Sequence, residues 1–148
     1  MAVLNQANTT SKVKLIDARG PRFSAVITTL VLAAALVTES ATLIAIQLVV
    51  FAIGAFAGPA KTPYAFIFKK LIKPRLKGEV PVEDARPPQF AQSVGLIFAV
   101  VALAGSLLSI PALFTVAVSF ALFAAFLNAA FNFCLGCEIY LLALRAVK

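Results

Sequence analysis

Two cysteines three residues apart, Cys134 and Cys137, are the residues of this chain whose type and spacing could do chemistry. They form a Cys-Leu-Gly-Cys pair near the end of a sequence that has no other cysteine and no histidine or tryptophan. Two thiols at this spacing can close a disulfide, and the second can resolve a mixed disulfide formed on the first. Gly136 gives the intervening backbone freedom to do so. The pattern therefore predicts redox or sulfur chemistry, with Cys134 attacking and Cys137 resolving.

Metal and haem chemistry fit this pair poorly. A structural zinc ion needs four cysteine or histidine ligands, whereas one chain supplies two thiols and no imidazole. Glu138 stands where a haem-attachment motif requires histidine, so we expect neither a metal nor another cofactor. In a helix that continued without a break, one face would carry Cys134, Glu138, Leu141 and Arg145. Glu138 could then take a proton as a third catalytic residue.

Two alternatives to redox chemistry stay open. Cysteine is also a small apolar residue suited to membrane interiors, and Glu138 could simply mark the membrane interface. A second class of function is a non-catalytic accessory subunit that packs against a larger membrane assembly, for instance a respiratory complex. The motivation for that hypothesis is a set of apolar helices with few polar side chains and many glycine and alanine residues.

The composition indicates that the protein lies in a membrane. The 148 residues are 61% hydrophobic, with a mean hydropathy of +0.98. A soluble domain of this size could not bury that much apolar surface. The net charge is +7, but the basic residues are grouped beside apolar segments and lack an aromatic-basic pattern. They indicate anionic lipid headgroups as partners and argue against nucleic acid.

The hydrophobic runs predict an all-α integral membrane protein that forms a single domain over 1–148. Each run has about the 20 residues that a hydrocarbon core of about 30 Å requires. The four predicted transmembrane helices are 21–38, 41–58, 91–110 and 112–132. The remaining segments are a polar arm (1–20), a central loop (59–90) and a C-terminal segment with the cysteine pair and an interfacial helix (133–148).

The distribution of basic residues predicts the orientation. The turns at 39–40 and 107–111 contain no lysine or arginine, and all 13 basic residues lie in the other non-membrane segments or at their borders. By the positive-inside rule, both termini and the central loop are cytoplasmic. We therefore expect a multi-pass protein of the plasma (inner) membrane, with the cysteine pair at the cytoplasmic face.

The central loop contains a segment that alternates aromatic or aliphatic residues with lysines, at 62–73. It is too short to span a membrane, so we expect it to lie in the interface. The predicted lipid-binding residues are Lys69, Lys70, Lys73, Arg75 and Lys77. We also expect this basic segment to lie beside the cysteine pair, where its charge would favour a thiolate.

The sequence contains an internal repeat. DARGPRF at 17–23 and DARPPQF at 84–90 agree at five of seven positions, and each precedes a long apolar run. VVFAI at 49–53 aligns with VSFAL at 118–122 in the following helices. The repeat predicts two parallel helix hairpins, each followed by an interfacial segment and related by an axis along the membrane normal. The paired aspartate and arginine are expected to tether the chain locally.

Polar side chains within the apolar runs are expected to be structural. Gln47 lies near the middle of the second predicted span, and Asn128 and Asn132 lie four residues apart in the fourth. A single amide inside a membrane more often bonds a neighbouring helix than forms a site.

Several of these motifs together resemble the DUF4395 family of small actinobacterial membrane proteins. The resemblance covers about 16–145 and is carried by RGPRF, VVFAIGAF, PPQFAQ and NAAFNFCLGCEIYLL. The family has no assigned activity, and its genes tend to lie beside thioredoxin-like and rhodanese-type sulfurtransferase genes. The resemblance thus implies thiol or sulfane-sulfur traffic through Cys134 and Cys137, with such a protein as partner.

Overall fold

The computed structural model describes residues 15–17, 19–75, 82–131 and 133–147, which are almost entirely helical. The helices are α1 (Arg19–Thr38), α2 (Ala41–Phe56), α3 (Pro63–Ile67), α4 (Arg86–Leu107), α5 (Pro111–Phe131) and α6 (Leu135–Val147). Short 3-10 turns lie at Pro59–Lys61 and Lys73–Arg75, and a π turn at Phe68–Ile72. Most of the predicted polar arm and Lys77 lie outside the described residues.

Within the described ranges, three helices are long and apolar enough to cross a membrane: α1, α4 and α5. Helix α2 is equally apolar but has 16 residues, which corresponds to about 24 Å. Large apolar side chains on these helices point outward, and Leu30 and Ile97 are 65% and 62% exposed. Such a surface is stable in lipid and not in water, so this is a helical membrane protein.

The helix boundaries differ from the predicted spans by a few residues. Helix α4 begins at Arg86 rather than at 91, because Pro87 and Pro88 occupy its first turn, where proline costs no hydrogen bond. Helix α5 likewise begins with Pro111. Helix α2 ends at Phe56, and Gly58 with a φ of 115° then turns the chain.

The four long helices pack around small and aliphatic side chains. Helix α1 contacts α5, α2 contacts α4, and α4 contacts α5. The core between them contains Leu32, Ala35, Ile44, Ala102, Phe114, Ala117, Val118 and Ala121. Helices α2 and α4 approach so closely that a Cβ added at Gly95 would lie 2.6 Å from the Phe51 ring. Small residues thus set the helix spacing, as is usual in membrane bundles.

One structural element was not predicted from the sequence. Strands β1 (Leu15–Asp17) and β2 (Val82–Asp84) form an antiparallel pair in front of α1 and α4. Leu15 pairs with Asp84, and Asp17 pairs with Val82. Three-residue strands carry too little periodicity to be recognised in a sequence.

The turns between consecutive long helices share one geometry. Glu39 and Ser109 have φ values of 54° and 60°, in the left-handed region. The next backbone N–H in each turn donates to a carbonyl five residues earlier, from Ser40 to Ala35 and from Ile110 to Gly105. This is the Schellman arrangement that ends a helix, in which glycine is the preferred left-handed residue.

We expect Glu39→Gly to raise the free energy of unfolding by about 1 kcal/mol, because glycine adopts this φ without steric cost. Thermal unfolding in detergent measures the change. The matched control, Glu39→Ala, removes the same charge but keeps a Cβ, so it should give no gain. An equal gain in both variants would show that the charge, and not the backbone geometry, is responsible.

Candidate functional site

Cys134 and Cys137 form a disulfide at the N-terminus of α6, with their Cα atoms 5.2 Å apart. Helix α5 ends at Phe131 and α6 begins at Leu135, so Cys134 lies at the N-cap position of a separate helix. Its sulfur accepts a hydrogen bond from the Cys137 N–H at 3.2 Å, and its carbonyl accepts one from the Glu138 N–H at 3.0 Å. The sulfur atom therefore replaces the oxygen of a usual N-cap side chain.

Packing against α4 fixes the position of this helix start. A Cβ added at Gly136 would lie 2.7 Å from both the Cα and the Cβ of Ala91, so no larger residue fits without movement. One turn further along α6, the Tyr140 ring lies 5.5 Å from the Phe90 ring. The Cys-Leu-Gly-Cys sequence thus needs glycine for close packing against Ala91, and Gly136 itself has no left-handed φ.

The break before α6 changes the expected environment of the cysteines. The helix does not continue without a break through Cys134, because α5 ends at Phe131 and α6 begins at Leu135. Glu138 and Arg145 lie within α6. Both of these charged residues are exposed. Glu138 lies in the first turn of α6, beside the disulfide in sequence, where a carboxylate is favoured by the helix dipole.

Cys134 also lines a cavity of about 320 Å³ between α1, α2, α4, α5 and the start of α6. Its wall contains mainly phenylalanine, alanine and other apolar residues. The polar residues in the wall are Ser24 and Thr28 of α1, Gln92 of α4 and Asn128 of α5. Ser24, Thr28 and Gln92 were not predicted from the sequence as site residues. The signals that could have indicated them were the four-residue spacing of the two hydroxyls and the presence of a glutamine in an apolar helix.

A buried hydrogen-bonded chain leads towards this cavity from the central loop. The Tyr64 hydroxyl donates to Oε1 of Gln47 at 2.7 Å, and Nε2 of Gln47 donates to the Thr28 hydroxyl at 3.5 Å. Gln47 is fully buried, and burial raises the pKa of Tyr64, which keeps the phenol protonated. The prediction that Gln47 bonds a neighbouring helix is confirmed, and Asn132 lies outside the described residues.

The basic segment lies against a different helix from the cysteine pair. Helix α3 and the π turn pack on α1, whereas α6 packs on α4. The expectation that the lysines lie beside the cysteine helix is therefore not met. Tyr64, Ala65 and Phe68 are buried in this contact, and Lys69, Lys70 and Arg75 are exposed. Phe66 and Leu71 are exposed as well, at 60% and 59%, so the exposed surface of this segment carries both apolar side chains and charges.

An ion pair joins the start of α1 to the basic segment. Asp17 accepts hydrogen bonds from the backbone N–H and the guanidinium of Arg19 at 2.9–3.0 Å, and Nζ of Lys73 lies 3.7 Å away. The hydrogen bonds from Arg19 lower the pKa of Asp17 more than partial burial raises it. The predicted local tether of aspartate and arginine is confirmed for this copy.

Comparison with known protein families matches residues 16–145 to one described as Domain of unknown function (DUF4395). This range contains both cysteines and all six helices, apart from the last residues of α6. Searches of curated proteins and of solved structures gave no match.

We expect Asp17→Asn to lower the free energy of unfolding by about 1 kcal/mol at neutral pH. The asparagine oxygen can still accept a hydrogen bond from the Arg19 N–H, but the ion pairs with Arg19 and Lys73 are lost. The native pKa of Asp17 lies below its unfolded value. Its contribution is therefore complete above about pH 4 and disappears as the pH falls through the native pKa.

Thermal unfolding in detergent between pH 7 and pH 2.5 measures this difference. Glu39→Gln, which removes a carboxylate from an exposed turn, is the control. A difference between wild type and Asp17→Asn that stayed constant down to the lowest pH would contradict the electrostatic explanation.

Proposed function

The chain belongs to the DUF4395 family, and we propose that it is a membrane thiol/sulfur-relay protein that works through Cys134 and Cys137. The observation that carries the proposal is the cysteine pair at the N-terminus of the 13-residue helix α6. Unpaired N–H groups and the helix dipole at this position favour a negatively charged sulfur on Cys134. Both cysteines are partly exposed, so a partner thiol can reach them.

The proposed exchange starts from the disulfide. A thiolate of a dithiol partner attacks the Cys134 sulfur, the bond between Cys134 and Cys137 breaks, and Cys137 leaves as a thiolate. The second thiol of the partner then attacks the mixed disulfide. The partner is oxidised to a disulfide, and the pair is reduced to two thiols. Glu138 can accept or return the proton of a leaving or attacking thiol.

The partner that suits this chemistry is a thioredoxin-like protein, which carries two thiols of its own. A rhodanese-type protein would instead deliver a sulfane sulfur from a persulfide. In that case the Cys134 thiolate takes the sulfur, and Cys137 attacks the resulting persulfide, which forms the disulfide and releases hydrosulfide. With the dithiol partner, Cys134 is the sulfur that is attacked and Cys137 is the leaving group, and the pair is reduced. With the persulfide partner, Cys134 attacks and Cys137 resolves, and the pair is oxidised.

We propose four membrane spans, formed by α1, α2, α4 and α5, with both termini at the cytoplasmic face of the inner membrane. The two connecting turns contain no lysine or arginine, and the basic residues lie at the other ends of these helices. The exposed side chains of Lys69, Lys70 and Arg75 then face anionic headgroups. Lys73, which pairs with Asp17, and Lys77, which lies outside the described residues, add positive charge to the same segment. Lys69 and Lys70 follow the apolar face that anchors α3, which supports this assignment.

We also propose that the chain consists of two equivalent units related by a two-fold axis. The first unit runs from β1 through α1, α2 and α3 to the basic segment, and the second contains β2, α4, α5 and α6. The repeat aligns Leu15 with Val82 and Asp17 with Asp84. The ladder pairs Leu15 with Asp84 and Asp17 with Val82, so a two-fold rotation superimposes it on itself. The register of β1 with β2 therefore supports the proposed two-fold axis without reference to the packing of the helices.

Contacts of the aligned helix starts support the same axis. Arg22 aligns with Gln89, and each donates to a carbonyl near the end of the other unit's second helix. The acceptors are Ala129 for Arg22, at 3.1 Å, and Ala55 for Gln89, at 2.8 Å. The aligned rings of Phe23 and Phe90 contact Phe68 and Tyr140 at 5.6 and 5.5 Å.

We propose that the caps which follow the two second helices, Thr62 and Cys134, are equivalent, with three extra residues before Cys134 relative to the register of 49–53 and 118–122. Thr62 caps α3 by accepting from the N–H of Ala65, as Cys134 caps α6 by accepting from Cys137. Phe68 and Tyr140 lie six residues after their respective caps. The first unit thus has a purely structural cap at the position where the second unit has a disulfide, which supports a chemical role for the second.

In the reduced protein, Cys134 should react with iodoacetamide faster than Cys137 at pH 6–7, because only Cys134 lies at the N-cap. Single Cys134→Ser and Cys137→Ser variants isolate each thiol, and intact mass measures alkylation. Reduced Cys137→Ser should also trap a mixed disulfide with a thioredoxin-like protein supplied in its disulfide form, because the Cys134 thiolate attacks that disulfide and no Cys137 thiol remains to resolve the product. Reduced Cys134→Ser should not trap it. Each variant is the control for the other.

The proposal fails if neither variant forms a mixed disulfide and the wild-type pair does not exchange with a soluble disulfide. A stoichiometric membrane partner that then copurifies in mild detergent would support the accessory-subunit hypothesis instead.

Cysteine labelling tests the four spans and their orientation. In a Cys134→Ser/Cys137→Ser background, Glu39→Cys and Ser109→Cys should react with an impermeant maleimide applied to intact cells. Arg75→Cys and Arg145→Cys should react only after the membrane is opened. Labelling of position 39 from the cytoplasmic side alone would contradict the orientation.

A further inference from the structure

The cavity beside Cys134 is suited to a flat apolar molecule that enters from the membrane. Phe51, Phe98, Phe120 and Phe123 contribute rings to its wall, and none of its lining residues in the described part of the chain carries a charge. Its volume of about 320 Å³ is at the lower end of the range for small-molecule sites. Phe120 and Phe123 are also more than half exposed, at 59% and 57%, so the wall on α5 is open to lipid.

Two polar groups in this wall lack a complete set of hydrogen bonds, and a further hydroxyl lies beside them. Oε1 of Gln92 is buried and has no partner among the described residues. Thr28 accepts from Gln47, which leaves the hydrogen of its hydroxyl free to donate. Ser24 lies one turn before Thr28, and the two residues are only 6% and 7% exposed. Unpaired polar groups are costly inside a protein, so they indicate a bound group that pairs with them.

We propose that this cavity binds the ring of a lipid-soluble quinone, which reoxidises Cys134 and Cys137 after they have been reduced. The inference rests on the proposed thiol function and names its electron acceptor. Closing the disulfide breaks two S–H bonds, forms one S–S bond and releases two electrons and two protons. A quinone takes up both electrons and both protons to become a quinol, and it dissolves in lipid.

The polar groups match both forms of this ligand. A quinone carbonyl accepts from the Thr28 or Ser24 hydroxyl, and a quinol hydroxyl donates to Oε1 of Gln92. An acyl chain would fill the cavity but would leave all of these groups unpaired, which argues against a lipid as its occupant. The phenylalanine rings provide the faces between which a quinone ring can stack.

The test uses the full-length protein in nanodiscs, reduced with a soluble dithiol that is then removed. A short-tailed benzoquinone is added, and its absorbance is followed together with the number of free thiols by alkylation and intact mass. One quinone should be reduced for each disulfide formed. Oxidised glutathione, a water-soluble oxidant, is used in parallel to measure the reactivity of the pair without the cavity.

Two cavity variants have matched controls. Ala124→Leu fills the cavity, and Ala130→Leu adds the same side chain at an exposed site on the same helix. Ser24→Ala removes a hydroxyl from the wall, and Ser93→Ala removes one that is bonded within α4 to Gln89. We expect oxidation by quinone to slow about tenfold in each cavity variant, since each loses space or a hydrogen bond. The controls, and all rates with oxidised glutathione, should remain unchanged.

The outcomes separate the two proposals. If oxidised glutathione closes the disulfide but quinone does not, the proposed quinone site is wrong and the thiol-relay proposal is unaffected. The same holds if the cavity variants react with quinone at the rates of their controls. A covalent quinone adduct on Cys134 without disulfide formation also overturns the site. If neither oxidant closes the disulfide, the relay itself is wrong, and the quinone inference fails with it.

Discussion

The structure depends on satisfying the backbone carbonyl groups at the C-terminal ends of α2 and α5. A helix leaves its last four carbonyls without partners inside the helix, and donors from a neighbouring helix can supply them. Gln89, at the start of α4, donates to the carbonyl of Ala55, and Arg22, at the start of α1, donates to that of Ala129. Each contact joins the first helix of one unit to the second helix of the other. In the duplicated arrangement that we propose, this exchange makes the two units interdependent.

Small residues allow the helices to approach closely enough for these contacts. Gly54 and Gly95 let α2 and α4 approach until the Gln92 and Phe51 side chains lie directly against the opposite backbone. The close contact places the polar side chain of Gln92 between two helices, where its oxygen has no hydrogen-bond partner among the described residues. The cavity beside Cys134 is lined by Pro21 and by Pro88, its counterpart in the proposed repeat. In the duplication that we propose, the cavity lies between the two units.

The duplication that we propose would explain how a disulfide arose at the position of a helix cap. An N-cap requires a side-chain acceptor for the N–H two or three residues later, and Thr62 supplies an oxygen for this purpose. Cys134 supplies a sulfur, and a second cysteine at the position of the donor N–H then lies close enough for a disulfide. In the duplication that we propose, the unit with Thr62 holds the buried Tyr64–Gln47–Thr28 chain, and the other unit holds the disulfide.

Composition and spacing alone determined the helical membrane fold, the family and the cysteine pair, because hydrophobic run length and rare residue types are local properties of a sequence. The end of α5 before Cys134, the pairing of β1 with β2 and the separation of the basic segment from α6 were decided only by tertiary contacts. They depend on residues far apart in the chain, such as Ala91 against Gly136 and Asp17 beside Lys73. The cavity has the same origin, because no single helix reveals which of its polar side chains, such as Ser24, Thr28 or Gln92, will face a shared space.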